Sequence, residues 1–263
     1  MSLVLDDRRR AMLAEMGVRL FEAPSAPPAV APAASAVSLA PIPPAPEARP
    51  QPAPSESPAA RRVPVPQDPA RAAAIEAMSW DELEQAVAGC EACGLCASRR
   101  NTVFGVGDRQ ADWLIVGEAP GENEDLQGEP FVGQAGKLLD NMLRSLGLDR
   151  GNKVYIANVL KCRPPGNRNP DPQEVAQCEP YLRRQVQLLQ PRIILAMGRF
   201  AVQALLGSDE PIGKLRGRRH EYMGIPLVVT YHPAYLLRNL PDKARAWADL
   251  CLALELMRGN AAA

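Results

Sequence analysis

Three of the six cysteines are crowded together: "GCEACGLCASRR" (89–100) sets Cys90, Cys93 and Cys96 three residues apart. Two thiolates at that spacing can grip one ion around a tight backbone turn. A closed four-ligand site needs further donors. Cys162 and Cys178 are available, separated by the fifteen residues "RPPGNRNPDPQEVAQ". Zinc ribbons build their second half from another close pair, so zinc is the less natural occupant. Four thiolates without a nearby histidine suit an iron–sulfur cluster at least as well, and both readings stay open on spacing alone. Five thiols compete for four places. Cys251, among Leu250, Leu252 and Leu254, reads as a core thiol.

The elements that must position these groups are legible from periodicity. Ser79 and Glu82 form a capping box, predicting a helix over 80–87 that delivers Cys90 just past its end. "ADWLIVGEAPG" predicts a buried strand over 113–116 that breaks into a Gly/Pro loop. A helix follows in "GQAGKLLDNMLRSLGL", then a second strand, "KVYIANVL", expected to end at Cys162. "DPQEVAQCEPYLRRQVQLLQ" predicts a long helix with Cys178 on its first turns and a bend at Pro180. "PRIILAMG" predicts a third strand leading into the helix "RFAVQALLG". "IPLVVTYHP" predicts a fourth, turning at His232 and Pro233, and a helix over 242–257 closes the chain. Strands alternating with helices imply an α/β fold: a three-layer αβα sandwich around a mostly parallel four-stranded sheet. Ligands of such sheets sit beyond the carboxyl ends of the strands, which here carry Glu118, Asn158 and His232.

Composition sets the limits. Fifteen of the 27 prolines fall between positions 24 and 69, so residues 1–70 read as a disordered extension and 71–263 as one domain. Residues 6–22 could form a short amphipathic helix through Met12, Leu13, Met16 and Leu20, a weakly ordered terminus or a docking element for a protein partner. No apolar run approaches ~18 residues, so no membrane span is expected, and six thiols without a secretory leader suggest a cytoplasmic protein. Zero net charge hides a split: residues 76–150 hold 14 acidic and 6 basic side chains (−8), residues 151–240 hold 6 and 13 (+7). A basic half is what phosphate binding requires, although solvated charge explains many such runs.

Four ordered motifs carry a resemblance. "GEAPGENED" (117–125), "GEPFVGQAG" (128–136), "NVLKCRPPGNRNP" (158–170) and "TYHPAYLLRN" (230–239) are similar to those of the type-4, iron–sulfur uracil-DNA glycosylases, over about residues 90–257. The resemblance implies a DNA repair hydrolase that flips uracil out of DNA, cleaves its N-glycosidic bond and leaves an abasic site. It implies a [4Fe-4S] cluster on Cys90, Cys93, Cys162 and Cys178, because the family's second cysteine lies eleven residues before the phenylalanine matched by Phe104; Cys96 is then the spare. Phe131 matches the residue that stacks on the flipped base, Asn158 the one that reads it, and His232 the donor to uracil O2. Gly117 and Ala119 belong to the loop that lines the pocket. Ala119 stands where another branch of the superfamily has a water-activating aspartate, leaving Glu118 as first choice for that work. Glu124 matches a residue near the uracil C5 edge; equally, Glu122, Glu124 and Asp125 form a solvated acidic turn. Leu236 or Leu237 is the expected minor-groove wedge, with Arg238 near phosphate. The implied partner is uracil-containing DNA, bound by a monomer associated with the nucleoid. A related branch holds uracil-DNA without turnover but carries an Arg/His-rich insertion after the second strand, which this chain lacks. An electron-transfer or zinc protein on the same fold is the third alternative.

Overall fold

The computed structural model describes residues 68–259. Most of the Pro/Ala-rich extension, with the helix expected over 6–22, lies outside the described residues. Its expected boundary at residue 70 falls inside a helix, Pro69–Ala77, whose first turn is capped by Asp68.

Six strands form one mixed sheet: β1 (Val106–Gly107), β2 (Trp113–Gly117), β3 (Val154–Asn158), β4 (Ile193–Met197), β5 (Arg219–Tyr222) and β6 (Ile225–Thr230), in the order β1-β3-β2-β4-β6-β5. The central four are parallel and correspond to the four expected strands; β1 and β5 pair antiparallel at the two edges. Among the described residues the expected count of four strands is therefore corrected to six. Both additions lack a hydrophobic run. β1 has only two residues, and β5 is "RHEY", alternating exposed and half-buried as an edge strand does. A second correction concerns β3, which ends at Asn158 rather than at Cys162. Beyond it the Val159 and Leu160 N–H groups donate to the carbonyls of Gly117 and Glu118, at 3.0 and 3.1 Å, binding the next loop to the one after β2.

Alternation along the central strands sorts their side chains to two cores. Leu114, Val116, Ile194, Ala196, Leu227 and Val229 meet helices Pro172–Leu189 and Arg199–Leu206 on one face. Trp113, Ile115, Val154, Ile156, Leu195 and Val228 meet helices Gln134–Ser145 and Asp242–Gly259 on the other. The chain leaves β2 toward β3 on one side and returns to β4 on the other, so the crevice at the end of β2 is a switch point, where such sheets bind ligands. Among the described residues no helix is long and apolar enough to cross a membrane.

Candidate active site

Gly117 and Asn158 are register partners at the ends of β2 and β3. Glu118 follows β2, and His232 follows β6 by two residues. Both border a cavity of about 1010 Å³, which Ala119, Glu124, Phe131, Asn158, Arg199 and Arg238 also line. Of the residues singled out for binding the base and its strand, Gly117, Leu236 and Leu237 are not in its lining. The absent side chain of Gly117 matters. A Cβ there would stand 2.3 Å from Asn158 Oδ1 and 2.5 Å from Phe131 Cζ, so both side chains lean over the same glycine.

Asn158 is 2% exposed, and its Oδ1 is buried without a hydrogen-bond partner. An orphaned buried acceptor costs about 1–3 kcal/mol, so its retention in a cavity wall points to a ligand donor. Phe131 is also buried and adopts φ = 57°, a left-handed conformation that a bulky residue holds only under constraint. The constraints are on both sides of it. Glu124 Oε1 accepts from the N–H groups of Val132 and Gly133, at 3.0 and 3.2 Å, while Oε2 accepts from Gly121 N–H at 3.1 Å. Arg150 donates to the carbonyls of Pro130 and Phe131, both at 2.8 Å, and pairs with Asp140.

The His232 ring lies 5.4 Å from that of Phe131 at an interplanar angle of 29°. Burial pulls its pKa down to about 4, opposed by the nearby Glu124 charge. Its Nδ1 accepts from the Ala234 N–H at 3.2 Å, so in the neutral ring the proton resides on Nε2. Glu118 shifts the other way: burial pushes its pKa up to about 7, with the Arg199 charge opposing. A carboxyl that titrates near neutral pH and an imidazole that stays neutral there thus share one crevice.

The acidic turn is not solvated as a unit. Glu124 is used as above, and buried Asp125 accepts from Arg100 N–H at 2.8 Å; Glu122 is the exposed member. Of the two wedge candidates Leu236 is buried, at 1% exposure, and Leu237 projects, at 41%. Arg168 is committed to Glu174 by two hydrogen bonds and Arg216 to Asp249, whereas Arg238 makes no ion pair among the described residues.

Cys93, Cys162 and Cys178 pack in one cluster with Leu95 and Leu160, and Ala119 of the site loop packs against it. Cys90 stands beside Cys93 at the edge of this group, next to Arg71. Among the described residues no group of three or more His, Cys, Asp or Glu side chains is spaced to hold a metal ion as it stands. The donor chemistry nevertheless fits a thiolate-bound centre. Burial pushes the Cys178 thiol up to about 12 and raises Cys162 and Cys93, so binding of a soft metal there would release their protons. Cationic donors already face the sulfurs: Arg99 Nη1 is 3.5 Å from Cys162 Sγ and Arg71 Nη2 is 3.8 Å from Cys90 Sγ.

Sequence reasoning missed Lys161, Arg150 and Arg199. Lys161 is fully buried and donates to the Phe104 carbonyl (3.2 Å), the Asn158 carbonyl (2.9 Å) and Gln185 Oε1 (2.6 Å). Its one signal was a lysine in an otherwise apolar strand end, "NVLKC".

The sequence that builds this crevice, with its buried asparagine and its histidine facing one aromatic ring, is similar to those of known proteins. Residues 104–251, more than half of the chain, match the model of the uracil-DNA glycosylase superfamily. The chain is 44% identical over 167 residues to a type-4 uracil-DNA glycosylase of Archaeoglobus fulgidus, covering 60% of this chain and 83% of that one. It is 40% identical over 183 residues to that of Pyrobaculum aerophilum (66% and 93%), and 43% identical over 165 residues to that of Thermotoga maritima (62% and 85%). The chain belongs to the type-4 family of the uracil-DNA glycosylase superfamily.

Proposed function

We propose that this protein excises uracil from DNA in base-excision repair, hydrolysing the N-glycosidic bond of a flipped-out nucleotide and leaving an abasic site. The observation that carries the reading is the buried, unpartnered Asn158 Oδ1, set over Gly117 beside Phe131 and neutral His232. That oxygen would accept from uracil N3–H while the amide NH2 donates to O4. Cytosine reverses both polarities, and mispairing buried polar groups discriminates by ~10⁴ or more.

Phe131 stacks on the extruded ring, repaying part of the few kcal/mol that unstacking costs. His232 donates from Nε2 to O2 as negative charge develops on the leaving base; one such donor contributes about 3–4 kcal/mol in the transition state. Ala119 has no proton-transfer group, so orienting water and stabilising the cationic sugar fall to Glu118. Glu124 guards the base slot through the loop it holds. Leu237 fills the gap left in the duplex and Arg238 meets phosphate. The scaffold reads as a three-layer αβα sandwich, supported by the two cores flanking the sheet.

Cys90, Cys93, Cys162 and Cys178 would hold a [4Fe-4S] cluster, leaving Cys96 over. When bound, the cluster would cross-link the 163–171 loop and the first turns of helix Pro172–Leu189 to the 90–96 turn. Incubation with an oligonucleotide carrying one uracil should release free uracil over many turnovers. Stoichiometric retention of intact uracil-DNA would instead indicate a binding protein.

A further inference from the structure

We propose that Arg71, on helix Pro69–Ala77, is a positioning residue for the iron–sulfur centre that clamps its Cys90 corner. The inference rests on the cluster assignment above. This helix lies upstream of residue 104, where the superfamily match begins. It is nonetheless built into the domain. Asp68 caps it, Pro69 opens it, and Ile75, 2% exposed, packs with Leu83, Val87, Phe104 and Tyr181. Just past its end the Met78 carbonyl accepts from Arg184 Nε at 2.8 Å.

These contacts fix where Arg71 points. Its Nη1 donates to the carbonyl of Gln177, the residue before Cys178, at 3.1 Å. Its Nη2 reaches Cys90 Sγ at 3.8 Å, and the guanidinium lies 5.0 Å over the Tyr181 ring. One planar fork therefore joins the first thiol of the 90–96 turn to the helix that carries the last. Arg99 mirrors it, donating to the Cys90 carbonyl at 2.6 Å and approaching Cys162 Sγ at 3.5 Å. A four-thiolate cluster carries net negative charge, and its stability depends on hydrogen bonds to sulfur and on solvent access. Packing alone would need only Ile75; a guanidinium aimed at sulfur has a further use.

The test follows the visible absorption of the full-length holoprotein under excess EDTA in anaerobic buffer. Arg71→Gln should lose the absorption about 10-fold faster than wild type, the scale of losing an outer partner of a metal ligand. Arg71→Lys should fall between the two, keeping the charge without the fork that reaches both Gln177 and Cys90. Bleaching of both variants at the wild-type rate would overturn the proposal, and so would a lysine variant as labile as glutamine with an unfolded far-ultraviolet spectrum. A colourless wild-type protein would sink the cluster assignment itself, a result distinguishable from either.

Discussion

On the proposed reading Asn158 and His232 meet the base through their polar side-chain atoms alone, so their removal should separate chemistry from folding. Asn158→Ala and His232→Ala should keep any visible chromophore and bind undamaged DNA as wild type does, since phosphate contacts come from elsewhere. Single-turnover excision should fall at least ~100-fold in each. Loss of less than threefold in both would show that the strand-end site is misread. Asn158→Asp removes the donor to O4 and can accept from cytosine N4, so relative preference should move toward cytosine. Glu118 carries a pH prediction. With its carboxyl held near 7 by burial, the ionised form is lost as pH drops below 7, and excision should fall tenfold per unit there. Glu118→Gln should flatten that limb; an unchanged profile would remove Glu118 from the chemistry. The stability linkage has opposite signs for the two groups. Raised Glu118 stabilises the fold fully below about 4.5, and this is lost as pH rises through 7. Lowered His232 stabilises it above about 6.5, and this is lost as pH falls through 4.

At the scale of elements, the Phe131 loop is held from two directions. Glu124 takes its N–H groups and Arg150 its carbonyls, and Gly136 leaves room for the Phe131 carbonyl, which a Cβ would strike. Phe131 can thus occupy a left-handed conformation that its own residue type disfavours. Glu124→Ala and Arg150→Ala should each reduce single-turnover excision by about tenfold or more, since a charge-assisted hydrogen bond is worth about 1.5–3 kcal/mol. Phe131→Leu should add little to either, because the same ring would already be misplaced; additive losses would show independent roles. Glu124 was visible in the sequence as one of three acids in a turn, with two readings open. Nothing local announced Arg150, whose partners lie ten and about twenty residues away.

At the scale of the folded domain, the thiol group and the strand-end crevice share a wall. Ala119 packs on the cysteine cluster, Leu160 N–H donates to the Glu118 carbonyl, and buried Lys161 ties the Asn158 carbonyl to Gln185 on the helix of Cys178. Disturbing the cysteines should therefore reach catalysis through position. Cys178→Ser should abolish the visible absorption, lower solubility and depress excision, whereas Cys96→Ser should retain both colour and rate. Colour lost in the Cys96 variant alone would reassign the ligands.

Local chemistry determined much of this protein from its sequence: the capping box at Ser79, four buried parallel strands, the strand-end placement of Glu118, Asn158 and His232, and the motifs that carry the family. Each is written in neighbouring residues through periodicity or turn chemistry. Tertiary structure alone decided the two edge strands, the end of β3 at Asn158, the exposure of Leu237 over Leu236, and the burial that separates Glu118 from His232 in pKa. Those depend on what packs against a residue from far along the chain. A short run such as "RHEY" becomes a strand only because β6 offers an open edge, and a carboxyl and an imidazole shift apart only once the crevice has closed around both.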